Sequence, residues 1–183
     1  MTLILASASP RRAELLKSTG LDFEIRVSEI DESPLPNEGA EALVLRLSAE
    51  KAKAVRVLYP DAKILAADTI VVLEDQILGK PKDAGEAEAM LRSLSGRAHE
   101  VMTGFTLVRP RYDSHSQRVS TQVTFRELSS AEIRSYVQSG EPMDKAGAYG
   151  IQCGAAGFVS GIEGSYTNVV GLPLAEVLVA LSD

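Results

Sequence analysis

The alternation of hydrophobic and polar positions along this chain switches between a period of two and a period near four, and each switch marks an element. Thr2 to Ala6 is a short apolar run and predicts a strand. Ser9, Pro10 and Gly20 then bracket a helix, with serine at the cap, proline at the first helical position and glycine just past the end. Phe23-Glu24-Ile25-Arg26-Val27 alternates apolar and charged residues and predicts a half-buried strand. An acidic loop from Glu29 to Glu38 follows, broken by Pro34 and Pro36. Beyond it Leu43, Val44, Leu47, Ala52, Val55 and Leu58 share one helical face, with Asn37 as a candidate cap and Pro60 as the stop.

Ile64 to Ala67 reads as a continuous apolar strand that delivers Asp68 and Thr69 at its end, before Ile70 to Leu73 continues and Glu74-Asp75 turns the chain into a hairpin with Ile77 to Pro81. Asp83 with Glu86 predicts a capping box for a helix whose stripe is Met90, Leu91 and Leu94 and whose end is Gly96. Val101 to Val108 and Val119 to Phe125 flank a polar loop, Pro110 to Arg118, as antiparallel strands would. Ser129 with Glu132 predicts a second capping box, for a helix through Ile133, Tyr136 and Val137 that stops at Gly140. Seven glycines between Gly147 and Gly171 then punctuate short strands before a last helix, Pro173 to Leu181. The mixture predicts an α/β or α+β architecture with a mixed sheet, and one domain over residues 1–183, or one domain with two lobes.

Composition narrows the function. A chain of 183 residues that is 45% hydrophobic can bury a sizeable core. The net charge of −6 and the absence of tryptophan argue against general nucleic-acid binding, so any phosphate chemistry needs a local basic cluster. No stretch reaches membrane-spanning length, and the first residues lack the basic start of a signal peptide. Cys153 is the single cysteine, which excludes disulfide stapling and fits a reducing cytoplasm.

A helix N-terminus carries partial positive charge and disfavours cations in its first turn. Arg11 and Arg12 nevertheless occupy that turn, beside Ser7, Ser9 and several backbone N–H groups, and an anion is their natural partner. The alternative is a pair of solvated arginines, each at a cost of a few tenths to about 1 kcal/mol, and the local pattern does not separate the two. Asp68 ends an apolar strand, where α/β sheets place ligand contacts, although a capping role would also suit it. Glu32, in the acidic loop, is a candidate for Mg²⁺ or for plain solvation. Lys51 and Lys53 project on different faces of one helix, so only one of them serves a site. Lys80 stands between a glycine that admits a ligand and a proline that fixes the turn. His99 and His115 are expected to be exposed. The segment Ser139 to Gln152 is dense in glycine and small residues, as backbone close to a ligand, or tightly packed short strands, would require.

Ser7-Ala8-Ser9-Pro10-Arg11-Arg12, Ala67-Asp68-Thr69, Gly79-Lys80-Pro81, Leu94-Ser95-Gly96-Arg97-Ala98-His99 and Asn168-Val169-Val170-Gly171-Leu172-Pro173 follow one another along the chain. With these motifs in this order the chain resembles the Maf family of nucleoside-triphosphate pyrophosphatases over essentially its whole length. The resemblance implies a fold like that of inosine-triphosphate pyrophosphatase, an elongated mixed β-sheet with flanking helices and a central cleft, and a homodimer. It also implies hydrolysis of a nucleoside triphosphate to the monophosphate and pyrophosphate with a divalent cation, Mg²⁺, Mn²⁺ or Co²⁺.

Within that family Arg11, Thr69 and Gln152 match a dTTP/UTP branch rather than a 7-methyl-GTP branch. By the same matching Asp68 is the proton acceptor, and Ser7, Arg12, Glu32, Lys51 and Lys80 fall at the other polar positions of the cleft. One departure is visible, Cys153 where family members usually have glycine. On this assignment Arg11, Arg12, Lys51 and Lys80 hold the triphosphate, and Glu32 and Asp68 bind one or two metal ions. A metal-polarised water then attacks the α-phosphorus. Asp68 as base and Asp68 as metal ligand are competing assignments, because a coordinated carboxylate is a poor base. Gln152, with donor and acceptor on one amide, suits the edge of a pyrimidine. Two rival readings are a nucleotide-binding regulator of septum formation without turnover, a process to which Maf proteins are linked, and a structural protein whose glycine-rich tail is an assembly surface.

Overall fold

The computed structural model describes residues 1–110 and 113–182; Arg111 and Tyr112, in the predicted Pro110 to Arg118 loop, lie outside the described residues, as does Asp183. The strands are β1 (Leu3–Leu5), β2 (Glu24–Ile25), β3 (Lys63–Leu73), β4 (Gln76–Leu78), β5 (Ala98–Val108), β6 (Ser114–Phe125) and β7 (Val159–Glu163). The helices are α1 (Pro10–Lys17), α2 (Ala40–Leu58), α3 (Ala84–Leu94), α4 (Ser130–Gln138), α5 (Tyr166–Val170) and α6 (Leu174–Ser182). The strands form one mixed sheet in the order β2-β1-β3-β5-β6-β7, with β4 paired to β3. β1 pairs parallel with both β2 and β3, whereas β4 and β7 pair antiparallel with β3 and β6. Contacts join Arg97 to Phe125, Thr106 to Ser116 and Arg109 to Asp113, a register that runs in opposite directions along β5 and β6, as the expected hairpin requires. No helix among the described residues is long and apolar enough to cross a membrane.

Local signals placed most elements. Ser9 caps α1 with its hydroxyl on the Arg12 N–H, Pro10 opens the helix, and Ser129 and Glu132 form a complete capping box on α4. Several expectations need correction. Only two residues of Phe23 to Val27 form a strand, and Ile25 and Val27 are exposed, because β2 is the sheet edge and no layer covers it. Asn37 does not cap α2; Gly39 holds that position, and no side chain bonds the helix start. Leu58 is exposed at the last turn of α2. At α3 the Asp83 carboxylate accepts the Glu86 N–H, but the Glu86 carboxylate takes the Lys82 N–H instead of closing the box. The glycine-dense segment forms 3-10 turns at Glu141–Asp144, Ala146–Ala148 and Gly154–Phe158, and only β7 within it is a strand.

The chain folds as two compact units, one of Met1–Thr69, Thr103–Val119 and Gly171–Asp183 and another of Ile70–Met102 and Ser120–Val170. In the first, alternate residues of β1 enter different cores. Leu3 and Leu5 join Leu16, Leu65, Phe105, Leu172 and Val177, while Ile4 and Ala6 join Ala52, Val55, Ile64 and Val108. A strand covered on both faces has no polar side to show, which is why β1 reads as an unbroken apolar run. Helix α2 lies so close to β5 that a Cβ on Gly104 would stand 2.5 Å from the Val44 carbonyl oxygen.

In the second unit α3 packs on α4, and an aromatic cluster fills the interior. His99 meets Phe125 and Tyr149 edge-on with ring centroids 5.0 and 5.4 Å away, and Phe158 bridges Phe125 and Tyr136. His99 is therefore buried, against expectation, while His115 is exposed as expected. The histidine shares its β5 face with Val101, Thr103, Phe105 and Leu107, all of them buried.

Replacing Gly104 by alanine should force α2 off the sheet and lower stability by about 1–3 kcal/mol, read as the urea midpoint at constant slope. The same change at Gly157, where a Cβ meets nothing within 4 Å, should leave the midpoint unchanged or slightly raised. Burial pushes His99 down to about 4 from its ordinary 6.5, with the Arg97 backbone pulling the other way. The unfolded chain thus takes up its proton first as pH falls. The His99 contribution is intact above about pH 6.5 and is lost progressively toward pH 4, on the order of 3 kcal/mol in all. Glu38 and Glu132, held down to about 2 chiefly by their arginine partners, lose theirs only below pH 4.5. Urea titrations between pH 7 and 4.5 should show the first slope, and His99→Phe should flatten it.

Candidate active site

The parallel register of β1 on β3 decides what meets the start of α1. Leu5 pairs with Leu65, and the Ala6 N–H donates to the Leu65 carbonyl at 2.7 Å. Ser7 and the α1 turn therefore emerge beside the β3 residues just beyond, Asp68 and Thr69. β3 runs on unbroken to Leu73, so these two lie mid-strand and not at a strand end as the sequence suggested. Asp68 is buried and Thr69 half-buried.

Arg12 is the hub of the first cluster. Its Nε donates to the Gly171 carbonyl at 2.7 Å, Nη2 to the Thr69 hydroxyl at 3.0 Å and Nη1 to the Ser7 hydroxyl at 3.4 Å. The Thr69 hydroxyl in turn meets the buried Thr103 hydroxyl at 2.9 Å. Gly171 adopts φ +123°, and a Cβ there would press within 3.4 Å of Arg12 Nε. A side chain at this position would thus combine a strained backbone with a clash against the hub. Burial lowers the Arg12 pKa from its ordinary value; Asp68 opposes this, the neighbouring Arg11 adds to it, and Glu32 opposes it again. The guanidinium keeps its proton, so a partly desolvated cation is held by neutral oxygens. Arg11 lies half-buried on the same turn.

The second cluster is ionic. Lys51 lies on the buried stripe of α2, four residues from both Leu47 and Val55. Its Nζ donates to Asp68 Oδ1 at 2.6 Å and lies 2.7 Å from Glu32 Oε1. Lys53 is exposed, so of the two lysines Lys51 is the one the fold turns inward. Glu32 reaches Lys51 from a loop pinned at its far end. Arg46 Nε and Nη2 fork onto the two Glu38 oxygens at 2.6 and 2.8 Å, and Nη2 also donates to the Ser33 carbonyl.

Lys80 and Gln152 belong to the second unit. Lys80 is exposed after β4, where the Gly79 carbonyl accepts the Gly147 N–H at 3.0 Å. Gln152 is exposed on the turn that follows Tyr149 and Gly150.

A family model described as Maf-like protein matches residues 2–183. A dTTP/UTP pyrophosphatase of Geobacter sp. (strain M21) is 53% identical over 181 residues, 98% of this chain and 94% of that protein. A dTTP/UTP pyrophosphatase of Myxococcus xanthus (strain DK1622) is 54% identical over 180 residues, 98% and 90% of the two chains. This chain belongs to the Maf family. A HAM1 protein from Coxiella burnetii is similar in structure, with a TM-score of 0.51 at 15% identity over 100% of this chain and 99% of that chain, which shows a shared mixed α/β fold.

Two residues of this Maf chain act at the site without having been singled out in the sequence. Thr103 completes the Arg12 and Thr69 network, and a threonine within the apolar run Val101 to Val108 was the available signal. Arg46 fastens the Glu32 loop, and nothing in its surroundings along the chain marks it. Among the described residues no three His, Cys, Asp or Glu side chains gather into a metal cage. Glu32 and Asp68 nevertheless close on one ammonium, and two carboxylates converging on a single positive charge are a donor set that a hard divalent cation accepts.

Replacing Lys51 by methionine leaves the buried Asp68 carboxylate and Glu32 without the cation between them. Stability should fall by about 3 kcal/mol, measured by urea denaturation at pH 7. Lys53→Met should stay within about 0.5 kcal/mol of the parent.

Proposed function

We propose that this Maf protein is a nucleoside-triphosphate pyrophosphatase that hydrolyses dTTP and UTP to the monophosphate and pyrophosphate. The observation that carries the reading is the direct succession of Asp68 and Thr69 on β3. The first faces a lysine shared with a second carboxylate, and the second faces an arginine held by neutral oxygens. Consecutive strand residues project to opposite faces, but Arg12 lies within electrostatic reach of both Asp68 and Glu32, so the acid–base and anion-binding groups flank one stretch of β3. Phosphoryl transfer needs little covalent chemistry beyond positioned charge and a proton acceptor.

In this mechanism Arg12 keeps its neutral partners and turns its charge toward the triphosphate, with Arg11 and the Ser7 hydroxyl beside it. Asp68 offers Lys51 one oxygen, Oδ1, and a water the other. That water forms its bond to the α-phosphorus as the bridging α–β P–O bond breaks, and its proton passes to Asp68 while pyrophosphate leaves with the bond electrons. Lys51 holds the Asp68 carboxylate in place and offsets part of the phosphate charge. A divalent cation, Mg²⁺, Mn²⁺ or Co²⁺, would be held by Glu32, with Asp68 as a ligand only where it is not the base, and would supply water polarisation and charge neutralisation. Lys80 contributes a further phosphate contact, and Arg11, Thr69 and Gln152 set the choice of nucleotide, with the Gln152 amide reading the pyrimidine edge.

Purified protein assayed with dTTP, UTP, CTP, ATP and GTP in Mg²⁺, Mn²⁺ or Co²⁺ should release pyrophosphate from dTTP and UTP in preference to the others. Removal of the metal by chelation should abolish the release. Asp68→Asn should lower kcat by about 10²–10⁴ while nucleotide affinity stays within a few-fold. Nucleotide bound without any pyrophosphate release by the parent protein would sink the enzyme reading, and full release by Asp68→Asn would sink the role of that carboxylate.

A further inference from the structure

His99 is a buried titratable side chain that the hydrolysis does not use, and its side-chain hydrogen bond leads toward the base-reading residue. Its Nε2 lies 2.8 Å from the Tyr149 hydroxyl. Edge-on contacts with Phe125 and Tyr149 fix the plane of the ring. Tyr149 opens a turn whose backbone is clamped at successive positions. The Gly150 N–H donates to the Tyr136 hydroxyl at 3.1 Å, the Cys153 N–H to the Gly150 carbonyl at 3.2 Å and the Gly154 N–H to Glu141 Oε2 at 3.1 Å. The Lys145 stem lies directly over Gly150, where a Cβ would come within 2.6 Å of Lys145 Cε. Lys145 Nζ is itself tied to the Glu141 carbonyl and to Asp144. Gln152 alone on this turn projects an exposed polar side chain, and among the described residues none hydrogen-bonds its amide.

We infer that His99, acting through Tyr149, is a positioning residue for nucleotide choice: the buried His99–Tyr149 hydrogen bond holds the turn so that the Gln152 amide is presented in one orientation. The inference rests on the reading of Gln152 as the base-recognition residue. An amide must match donor and acceptor on the base within a few tenths of an ångström and a narrow angle. A turn free to wander must be ordered at each binding event, which weakens the matched base most and leaves the reacting phosphates untouched. The imidazole Nε2 and the phenol hydroxyl share one hydrogen bond whose direction follows the histidine tautomer. A glutamine, which carries both a donor and an acceptor, can take either role, and a phenylalanine can take neither.

Tyr149→Phe removes one hydroxyl and keeps the ring. It should raise KM for dTTP and UTP about fivefold, the equivalent of one net hydrogen bond, and reduce the preference for them over GTP by a similar factor, with kcat within about twofold. His99→Phe should do the same, His99→Gln should restore most of the preference, and the double variant His99→Phe/Tyr149→Phe should be no worse than either single one. Gln152→Ala, assayed alongside, should lose the preference. If Gln152→Ala loses it while Tyr149→Phe keeps both KM and preference, the positioning role is overturned and the base reading stands. If Gln152→Ala keeps the preference, the base reading fails and this inference fails with it. A fall in kcat without a change in KM or preference also overturns the positioning role.

Discussion

An ammonium on the buried face of a helix survives only where anions close around it, and the first of the two units is organised by that requirement at Lys51. The apolar stripe of α2 turns Lys51 inward between Leu47 and Val55, where solvent cannot stabilise its charge. Asp68 supplies one anion from the middle of β3 and Glu32 the other from a loop. Each partner then carries a structural demand of its own. Asp68 must sit inside a continuous strand to be placed accurately, and the loop must return to the helix, which the fork of Arg46 on Glu38 ensures. Both carboxylates are thus in place because the buried ammonium needs them.

Beside this ionic pair of contacts lies its electrostatic opposite. Arg12 is held by a carbonyl and two hydroxyls, groups that fix its direction without cancelling its charge. Parallel pairing of β1 with β3 sets these two arrangements next to each other, because it brings the N-terminus of α1 to the stretch of β3 that carries Asp68 and Thr69. Ligand sites at the carboxyl ends of parallel strands arise for the same reason. Here the partner strand runs past that point, so the site residues belong to a rigid element and not to a loop.

The second unit holds its side chains by different physics. Around His99 and Tyr149 there is ring packing and a hydrogen bond between two neutral groups, and the charged Lys145 and Glu141 clamp the turn that follows. Such a frame fixes the geometry of the turn that carries Gln152. The glycines of this region serve the same end, since Gly150 lets the Lys145 stem cross the chain at contact distance.

What the sequence by itself determined is whatever depends on neighbours a few residues away. The caps at Ser9 and Ser129, the proline start of α1 and the apolar runs of β1 and β3 are all local, because hydrogen bonding and periodicity act within one or two turns of chain. The motif order from Ser7 to Pro173 likewise placed the chain in its family. Tertiary structure alone decided between residues that look alike locally. It buried Lys51 and exposed Lys53, buried His99 and exposed His115, left Ile25 and Val27 uncovered at a sheet edge, and joined Thr103 to Thr69 and Arg46 to Glu38. Each of those outcomes depends on which distant segment packs against the residue, and burial and charge pairing between distant segments exist only once the chain has folded.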